Sequence, residues 1–438
     1  MSRKPRCFLP PSPVPHSRDS LSLSATAGPC SKDSAMATQG NGGTKNNGKN
    51  TGLAEYEVIA LVLQGGGALG SYQAGVYEGL AEADIQPNWV AGISIGALNA
   101  AIIAGNPPQK RVDQLRGFWE TICQHPHFPP TPVDSALVET WPPAMREMLD
   151  IWEASRTMME GQQGFFTPRL FPWLALFHNT PDTASLYDTS PMRATLEKFA
   201  DFERINDARQ MRVSVGAVNV RNGNFAYFDN TKITLRPEHF MASGALPPGF
   251  AAVEIDGEYY WDGGLVSNTP LYHVLTNEAH KDSLVFQVDL WSAQGAAPTD
   301  LIEVAIRQKD IQYSSRTRMI TEYMESTQKY RRMLQELMAL VPEANRDNAW
   351  YRRADKASCD RRFNVIHLIY KDKGESHSHY MDYEFSPLTM HNHWRTGLDD
   401  VHRTLAHPEW LDLPPVDKPF VTHDMHRPTP TQTRTNLP

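Results

Sequence analysis

A serine between two glycines, Ser94 in the pattern Gly92-Ile93-Ser94-Ile95-Gly96, has the residue type and spacing of a nucleophile. The apolar run at residues 89–91 precedes it and small residues follow, which predicts a strand that turns sharply into a helix at Ser94. Such a turn needs Gly92 and Gly96, because side chains there would clash with the neighbouring strand or helix. By itself the motif fits a tight structural turn about as well as a catalytic serine.

A glycine run lies upstream, at Gly65, Gly66, Gly67 and Gly70, directly after the aliphatic stretch 57–64. The pattern predicts a buried strand, a loop with free backbone N–H groups and the start of a helix. The loop could bind the oxyanion of an acyl-transfer intermediate, bind a dinucleotide through a Gly-x-Gly-x-x-Gly fingerprint, or form a tight turn only. The dinucleotide site is disfavoured, because the second strand ends in the serine motif and lacks a carboxylate for the ribose.

A third motif, Asp262-Gly263-Gly264, lies far downstream at the end of a short aromatic strand. The preceding segment predicts a hairpin with Asp256-Gly257 as its turn. The two glycines let the chain bend away and leave the Asp262 carboxylate facing open space. Asn268 or Thr269, followed by Pro270, predicts the start of a helix. Taken alone, an Asp-Gly-Gly sequence is usually just a turn.

Together with the block Ala242-Ser243-Gly244-Ala245-Leu246-Pro247-Pro248, these motifs resemble the patatin-like phospholipase family in order, spacing and flanking structure. The resemblance covers about residues 57–290. It implies an α/β fold of three layers with a mainly parallel central sheet. Beyond about residue 298 the chain resembles the additional C-terminal region of some bacterial members, which we expect to form a helical extension.

The resemblance implies that Ser94 is the nucleophile and that Asp262 accepts its proton without an intervening histidine. It assigns an oxyanion loop, two elbow glycines and three supporting glycines: Gly65, Gly66 and Gly67; Gly92 and Gly96; Gly70, Gly263 and Gly264. The implied activity is serine acyl hydrolysis of fatty-acyl esters of lipids through an acyl-enzyme, with no metal or cofactor. A catalytically silent lipid-binding scaffold of the same fold is the alternative.

The chain has 16 histidines, so a Ser-His-Asp triad is the other arrangement to weigh. An ordinary α/β-hydrolase is disfavoured, because its elbow follows several βα units, whereas only one precedes Ser94. A triad would draw on the downstream histidines His273, His280, His367, His377, His379, His391 and His393. The last four could instead hold a metal with Glu375 and Asp382, although polar surface positions are the more ordinary interpretation.

Composition favours an ordinary globular enzyme, with 40% hydrophobic and 21% charged residues among 438. The net charge of −8 argues against a general affinity for nucleic acid or anionic membranes. The four cysteines are scattered, and no apolar run approaches the roughly 18 residues that span a bilayer. We therefore expect a cytoplasmic protein, with or without peripheral membrane contact. The substrate (phospholipid, neutral lipid, polyester or thioester) and the oligomeric state stay open.

Four segments are expected along the chain: a disordered tail at 1–53, a catalytic domain at 54–297, a helical and strand extension at 298–410, and a Pro/Thr-rich disordered tail at 411–438. Aromatic residues of an insertion at about 123–184 predict either a lid or acyl-chain channel, or a helical cap that buries them in its own core. One long helix is expected at 301–341, with Ile302, Ala305, Ile306, Ile311, Met319 and Met324 facing inward.

Overall fold

The computed structural model describes residues 53–124, 138, 140–170, 180–277, 281–315, 317–358, 361–371 and 382–425. Contacts divide the chain into residues 1–49, which lie outside these ranges, and a unit at 50–438. The predicted N-terminal tail up to residue 52, three of the candidate histidines and the end of the C-terminal tail also lie outside the described residues. Those histidines are His280, His377 and His379.

A mainly parallel sheet forms the centre of this unit, as the sequence predicts. The strands are β1 Val58–Leu63, β2 Trp89–Gly92, β3 Thr167–Pro168, β4 Tyr187–Asp188, β5 Arg212–Asn219, β6 Phe225–Asp229, β7 Val253–Ile255, β8 Glu258–Asp262, β9 Ser283–Asp289, β10 Phe363–Ile369 and β11 Phe420–Asp424. The order across the sheet is β11-β10-β9-β1-β2-β5-β8-β7, while β6 pairs with β5 and β3 pairs with β4 separately. The strands from β11 to β5 are parallel, and β6, β7 and β8 pair antiparallel.

Helices cover both faces of the sheet, which gives the three layers that the sequence predicts. They are α1 Ser71–Glu82, α2 Ile95–Ala104, α3 Arg111–Ile122, α4 Pro143–Glu160, α5 Ser190–Phe199, α6 Phe202–Ile205, α7 Pro237–Ser243, α8 Leu271–Asn277, α9 Leu301–Tyr313, α10 Thr317–Ala339, α11 Ala349–Ala357 and α12 Pro387–Leu405. Alternate residues of β1 enter two separate cores: Leu61 and Leu63 pack on one face, and Ala60 and Val62 on the other. Because parallel strands are covered on both sides, β1 and β2 are almost uninterruptedly apolar.

The chain changes direction across the sheet at β1. It passes from β1 to β2 and β5 on one side, and later returns to place β9 and β10 on the other. In open α/β sheets such a reversal leaves a crevice at the carboxyl ends of the strands. The glycine run after β1 and the serine motif after β2 both lie at this edge.

The C-terminal region is part of the same sheet. Strand β10 pairs with β9 over its full length, and β11 pairs with β10. Helix α12 crosses α1 so closely that a side-chain carbon at Gly397 would lie 2.1 Å from the carbonyl oxygen of Tyr72. Strand β11 falls in the segment 411–438, where the sequence analysis expected a disordered tail. Short period-2 patterns next to prolines give little signal, and β11 is defined by its pairing with β10.

The long helix expected at 301–341 is two helices, α9 and α10, separated after Tyr313. The Ser315 hydroxyl, between the two helices, donates to Asp289. Since the two helices need not share one face, the predicted inward set is only partly correct. Met324 is buried, whereas Ile311 and Met319 are 58% and 60% exposed.

Among the described residues, no helix combines the length and the apolar character needed to cross a membrane.

Candidate active site

Ser94 lies at the sharp turn between β2 and α2, directly before the first residue of the helix. Its backbone has φ 54° and ψ −127°, a region that residues with side chains seldom adopt. The turn is tight: a side-chain carbon at Gly92 would lie 2.3 Å from the Gly96 carbonyl oxygen, and one at Gly96 would lie 2.5 Å from that of Leu63. The two glycines therefore let β2 and α2 approach closely enough to hold Ser94 in its strained conformation.

This strain gives a stability prediction. A residue held in such a region costs on the order of 1–3 kcal/mol, and glycine avoids most of that cost. We expect Ser94→Gly to be about 1–2 kcal/mol more stable than Ser94→Ala, after allowing for the greater freedom of glycine in the unfolded chain. Urea denaturation of the two variants measures the difference. Equal stabilities would show that the turn is not strained.

Asp262, the last residue of β8, faces Ser94 from the other side of the crevice. Its side chain is 2% exposed, and its Oδ1 accepts a hydrogen bond of 2.7 Å from the backbone N–H of Gly264. Burial raises the pKa of Asp262 to about 7, although hydrogen bonds from the Ser94 hydroxyl and from Gly264 oppose the shift. A carboxyl with a pKa near neutrality can exchange a proton with the serine, which a carboxyl with an ordinary pKa does poorly.

The glycine loop after β1 presents backbone N–H groups beside Ser94. Gly65 is in direct contact with it, because a side-chain carbon at Gly65 would lie 2.8 Å from the Ser94 Cβ. The carbonyl oxygen of Gly65 accepts hydrogen bonds of 2.9 Å from both Asn268 Nδ2 and Trp291 Nε1. Because a trans peptide is planar, the N–H of Gly66 must point the opposite way, away from those two side chains.

Within the described part of the chain, the N–H groups of Gly66 and Gly67 have no hydrogen-bond acceptor. The N–H of Gly65, by contrast, is donated to the carbonyl oxygen of Asn268 at 3.2 Å. Gly67 has φ +56°, and a side-chain carbon there would lie 2.2 Å from the carbonyl oxygen of Asp382. Of the three predicted oxyanion donors, the N–H groups of Gly66 and Gly67 are thus free for a ligand. The N–H of Gly65 is already bonded within the protein.

Two positioning residues of the site were not assigned a role from the sequence. Ser243 accepts the N–H of Ser94 at 3.0 Å and donates to the carbonyl oxygen of Gly216 at 2.6 Å, so it ties the elbow to β5. Asn268 holds the glycine loop through the bonds described above. Both residues belong to segments that the sequence analysis singled out, the Ala242–Pro248 block and the predicted helix start. Their roles depend on partners far away in the chain, which spacing does not reveal.

A cavity of about 200 Å³ opens at Ser94 and Asp262. Its walls are mainly apolar and come from several separate segments of the chain; they include Leu98, Phe165, Phe166, Leu246, Phe250, Trp291, Tyr313 and Phe385. Phe165 and Phe166 belong to the insertion, are buried, and pack on Phe250 with ring centroids 5.9 and 5.3 Å apart. These two aromatics are therefore buried as a cap would bury them, and they also line the cavity.

The C-terminal region completes this cavity. The carbonyl oxygen of Tyr313, at the end of α9, accepts hydrogen bonds of 3.0 Å from Gln64 Nε2 and from Asn268 Nδ2. The carbonyl oxygen of Asp382 accepts the N–H of Ala68 at 3.0 Å. Residues beyond 298 thus fix both ends of the glycine loop.

None of the described histidines lines the cavity. The downstream histidines have other neighbours. His273 stacks on Tyr227 and lies 3.8 Å from Asp229, and His367 lies 2.6 Å from Asp289. His391 lies 2.5 Å from the Pro387 carbonyl oxygen, and His393 packs on the edge of Tyr370. Three or more metal-ligating side chains do not cluster anywhere in the described ranges. His377 and His379, which the metal hypothesis needs, lie outside those ranges.

Comparison with known families fits this geometry. Residues 61–275 match the family described as patatin-like phospholipase, and residues 311–417 match one described as patatin phospholipase. The chain belongs to the patatin-like phospholipase family. Both matching families are described as phospholipases. The second match shows that the C-terminal region, including α10 and β10, is itself a feature of patatin phospholipases.

Solved structures similar to this patatin-like protein share little sequence with it. VipD from Legionella pneumophila is 16% identical, with 80% of this chain and 67% of that chain covered and a TM-score of 0.35. The type III effector protein ExoU is 12% identical, with 80% and 53% covered and a TM-score of 0.29. Human GIVD cytosolic phospholipase A2 is 17% identical, with 40% and 22% covered and a TM-score of 0.20. The chain thus spans about half of ExoU and about a fifth of the human protein. No curated protein matches the chain significantly.

Proposed function

We propose that this patatin-like protein is a serine acyl hydrolase that cleaves fatty-acyl ester bonds of lipids through a Ser94–Asp262 dyad. One observation supports the dyad most directly: the Ser94 hydroxyl bonds to a buried carboxylate whose pKa is raised to about 7, without an intervening histidine. The family supplies the general activity, lipid hydrolysis. The apolar cavity at Ser94 suits an acyl chain.

In the first half of the proposed reaction, Ser94 Oγ attacks the ester carbonyl carbon while its proton passes to the Asp262 carboxylate. The carbonyl oxygen becomes an oxyanion, which the N–H groups of Gly66 and Gly67 bind. Each such donor contributes on the order of 3 kcal/mol to stabilising the transition state. The N–H of Ser94 is not available for this role, because it is donated to Ser243.

The tetrahedral intermediate then collapses, and protonated Asp262 gives its proton to the departing alcohol. The fatty acyl group stays on Ser94 as an ester. A water molecule that loses its proton to Asp262 attacks this ester, and the same glycine loop binds the second oxyanion. The fatty acid leaves, and Ser94 regains its proton. Every step uses side chains and backbone groups of this chain.

A fluorophosphonate probe tests the proposal, because it phosphonylates an activated serine. We expect wild-type protein to be labelled and Ser94→Ala to remain unlabelled, with fatty-acid release from lipid lost in parallel. Asp201→Ala removes an exposed helix cap that does not line the cavity; it controls for the effects of substitution and purification and should label normally. Folded wild-type protein that neither labels nor hydrolyses lipid would favour the catalytically silent scaffold.

The raised pKa of Asp262 predicts the pH dependence of the reaction. Asp262 accepts a proton only when it is ionised, so kcat/KM should rise with pH up to about 7 and level off above it. Below that point we expect about a tenfold loss for each pH unit. Stopped assays with a short-chain soluble ester between pH 5 and 9 measure the profile.

Glu384 offers a matched control for this profile. It is also buried, and burial raises its pKa to about 7, but it does not line the cavity. Glu384→Gln should therefore leave the midpoint of the profile unchanged. A midpoint near 4, or one that moves in Glu384→Gln, would contradict Asp262 as the base.

A further inference from the structure

Helix α4 exposes an apolar face to solvent. Met145, Met148, Trp152 and Met159 are 50%, 72%, 56% and 66% exposed. Their spacing of three, four and seven residues places them on one side of the helix, beside Ile151, which is 40% exposed. We call these five residues the α4 face. Isolated exposed apolar residues are common, but a continuous apolar face of this kind marks an interaction surface.

The opposite side of α4 is charged and faces the protein. Glu153 and Arg156 are 5% and 6% exposed, and Arg156 lies 3.5 Å from the carboxylates of both Glu153 and Glu160. A surface helix of a globular protein normally shows the reverse arrangement, with apolar residues inward and charges outward. Because the inward charges are paired with one another, α4 can bury this side without an unpaired charge. The α4 face is therefore the side of the helix that a partner can contact.

The α4 face is continuous with the mouth of the active-site cavity. Thr157 and Met158, at the end of α4, line the cavity, and so does Leu186. Met158 and Leu186 are each 40% exposed, so they belong both to the cavity and to the surface. The Tyr187 hydroxyl donates to the Met158 carbonyl oxygen at 2.9 Å, which fastens this end of the helix beside the mouth.

We propose that the α4 face docks onto the surface of a lipid aggregate and brings the cavity mouth against it. This inference rests on the proposed function, since the docked cavity would take its acyl ester from that surface. A second copy of this chain is a poorer occupant, because a copy covering Met158 and Leu186 would obstruct the mouth. Methionine side chains adapt to irregular apolar surroundings, and an indole is well suited to a membrane interface.

The chemistry of the α4 face predicts docking by apolar insertion. The net charge of the chain is −8, which disfavours attraction to anionic lipid. Binding should therefore occur on zwitterionic vesicles and should change little with ionic strength. Salt-dependent binding that requires anionic lipid would point to a different surface.

Helix α10 provides a matched control. It also exposes apolar side chains, including Tyr330 and Leu337 at 68% and 56%. No described residue of α10 lines the active-site cavity. The double variant Tyr330→Gln/Leu337→Gln thus removes a similar amount of exposed apolar surface away from the mouth.

The test measures binding of full-length Ser94→Ala protein to phosphatidylcholine vesicles by flotation, so that no lipid is consumed. Adding Met148→Gln/Trp152→Gln should weaken binding about 10- to 100-fold, whereas adding Tyr330→Gln/Leu337→Gln should leave it unchanged. Circular dichroism and thermal unfolding check that both variants fold. Unchanged binding in the α4 variant, or lost binding in the α10 variant only, would overturn the proposal. So would an α4 variant that turns a dimer into a monomer in light scattering but still binds vesicles.

Activity of the Ser94-containing protein separates this inference from the proposed function. Met148→Gln/Trp152→Gln should hydrolyse a soluble short-chain ester as wild type does and lose at least about tenfold on phosphatidylcholine vesicles. Equal losses on both substrates would overturn docking as the role of the α4 face. A wild-type protein that binds vesicles through α4 but hydrolyses neither substrate would refute the proposed function and leave the docking intact.

Discussion

Asp262→Asn is expected to abolish most turnover and, at alkaline pH, to make the folded protein more stable. The amide keeps the shape of the side chain and can still accept the N–H of Gly264, but it cannot take the proton of Ser94. Loss of a general base typically costs about 10²- to 10⁴-fold in rate. Single-turnover acylation with a soluble ester measures this loss at the chemical step.

The stability gain follows from the pKa of Asp262. Burial raises this pKa from 3.8 to about 7, so ionisation of Asp262 costs the folded state on the order of 4 kcal/mol above pH 8. A raised pKa favours the folded state at low pH, and that advantage is lost as pH rises from about 4 to about 7. We therefore expect Asp262→Asn to be more stable than wild type by about 2–4 kcal/mol at pH 8.5, with little difference at pH 4.5. Urea denaturation at both pH values measures the effect.

Asp256→Asn is the matched control, since it makes the same chemical change in an exposed hairpin turn. Its activity should match that of wild type at each pH, and its stability difference from wild type should vary little between the two pH values. If Asp262→Asn kept full activity, Asp262 would not be the base. If it were destabilised at pH 8.5, the carboxylate would be better solvated than its burial indicates.

Gly67→Ala should cost about 10²- to 10³-fold in kcat by moving the oxyanion loop. The new methyl group would lie 2.2 Å from the carbonyl oxygen of Asp382, so the backbone must shift and carry the N–H groups of Gly66 and Gly67 with it. We expect binding of a product fatty acid to change much less, because the apolar walls of the cavity stay in place. Burst kinetics with a soluble ester separate acylation from substrate binding.

Gly223→Ala is a control that separates the effect of backbone strain from the effect of displacing the oxyanion loop. Gly223 has φ +68°, close to the +56° of Gly67, but nothing lies within 4 Å of a side-chain carbon at that position. Gly223→Ala should lose about 1 kcal/mol of stability, because alanine is disfavoured at positive φ, and Gly67→Ala should lose more, because it adds the clash with Asp382. Only Gly67→Ala should lose activity. Equal kcat in the two variants would exclude the loop from transition-state stabilisation.

Local sequence was sufficient to predict several parts of this fold. The hairpin at Asp256-Gly257 forms because both residues adopt positive φ, 52° and 84°, as a tight turn between two strands requires. Strands β1 and β2 were predictable because strands buried on both faces are apolar throughout. The turn at Ser94 was predictable from Gly92 and Gly96, whose lack of side chains lets β2 and α2 meet.

Other features depend on contacts between distant residues. Strand β11 is held by its pairing with β10, and its short run of strand-favouring residues, 420–422, does not by itself predict a strand beside a proline-rich tail. The face that α4 turns outward was not evident either: its apolar residues have helical spacing, and spacing alone predicts that they should be buried. In the folded protein the ion pairs of Arg156 with Glu153 and Glu160 lie on the inward side of α4, and its apolar residues face solvent.

The sequence by itself determined the chemical groups of the site and the turns that carry them, because each motif is short and its geometry follows from its own glycines. The tertiary structure decided how those groups act. The sheet brings β8 to β5, so that Asp262 reaches Ser94 and becomes buried, and burial raises its pKa to about 7. Asn268 and Trp291 turn one peptide of the glycine loop so that the Gly66 N–H is free. Desolvation and hydrogen-bond direction arise only when remote segments pack together, and they are what could make a serine and an aspartate a catalytic pair.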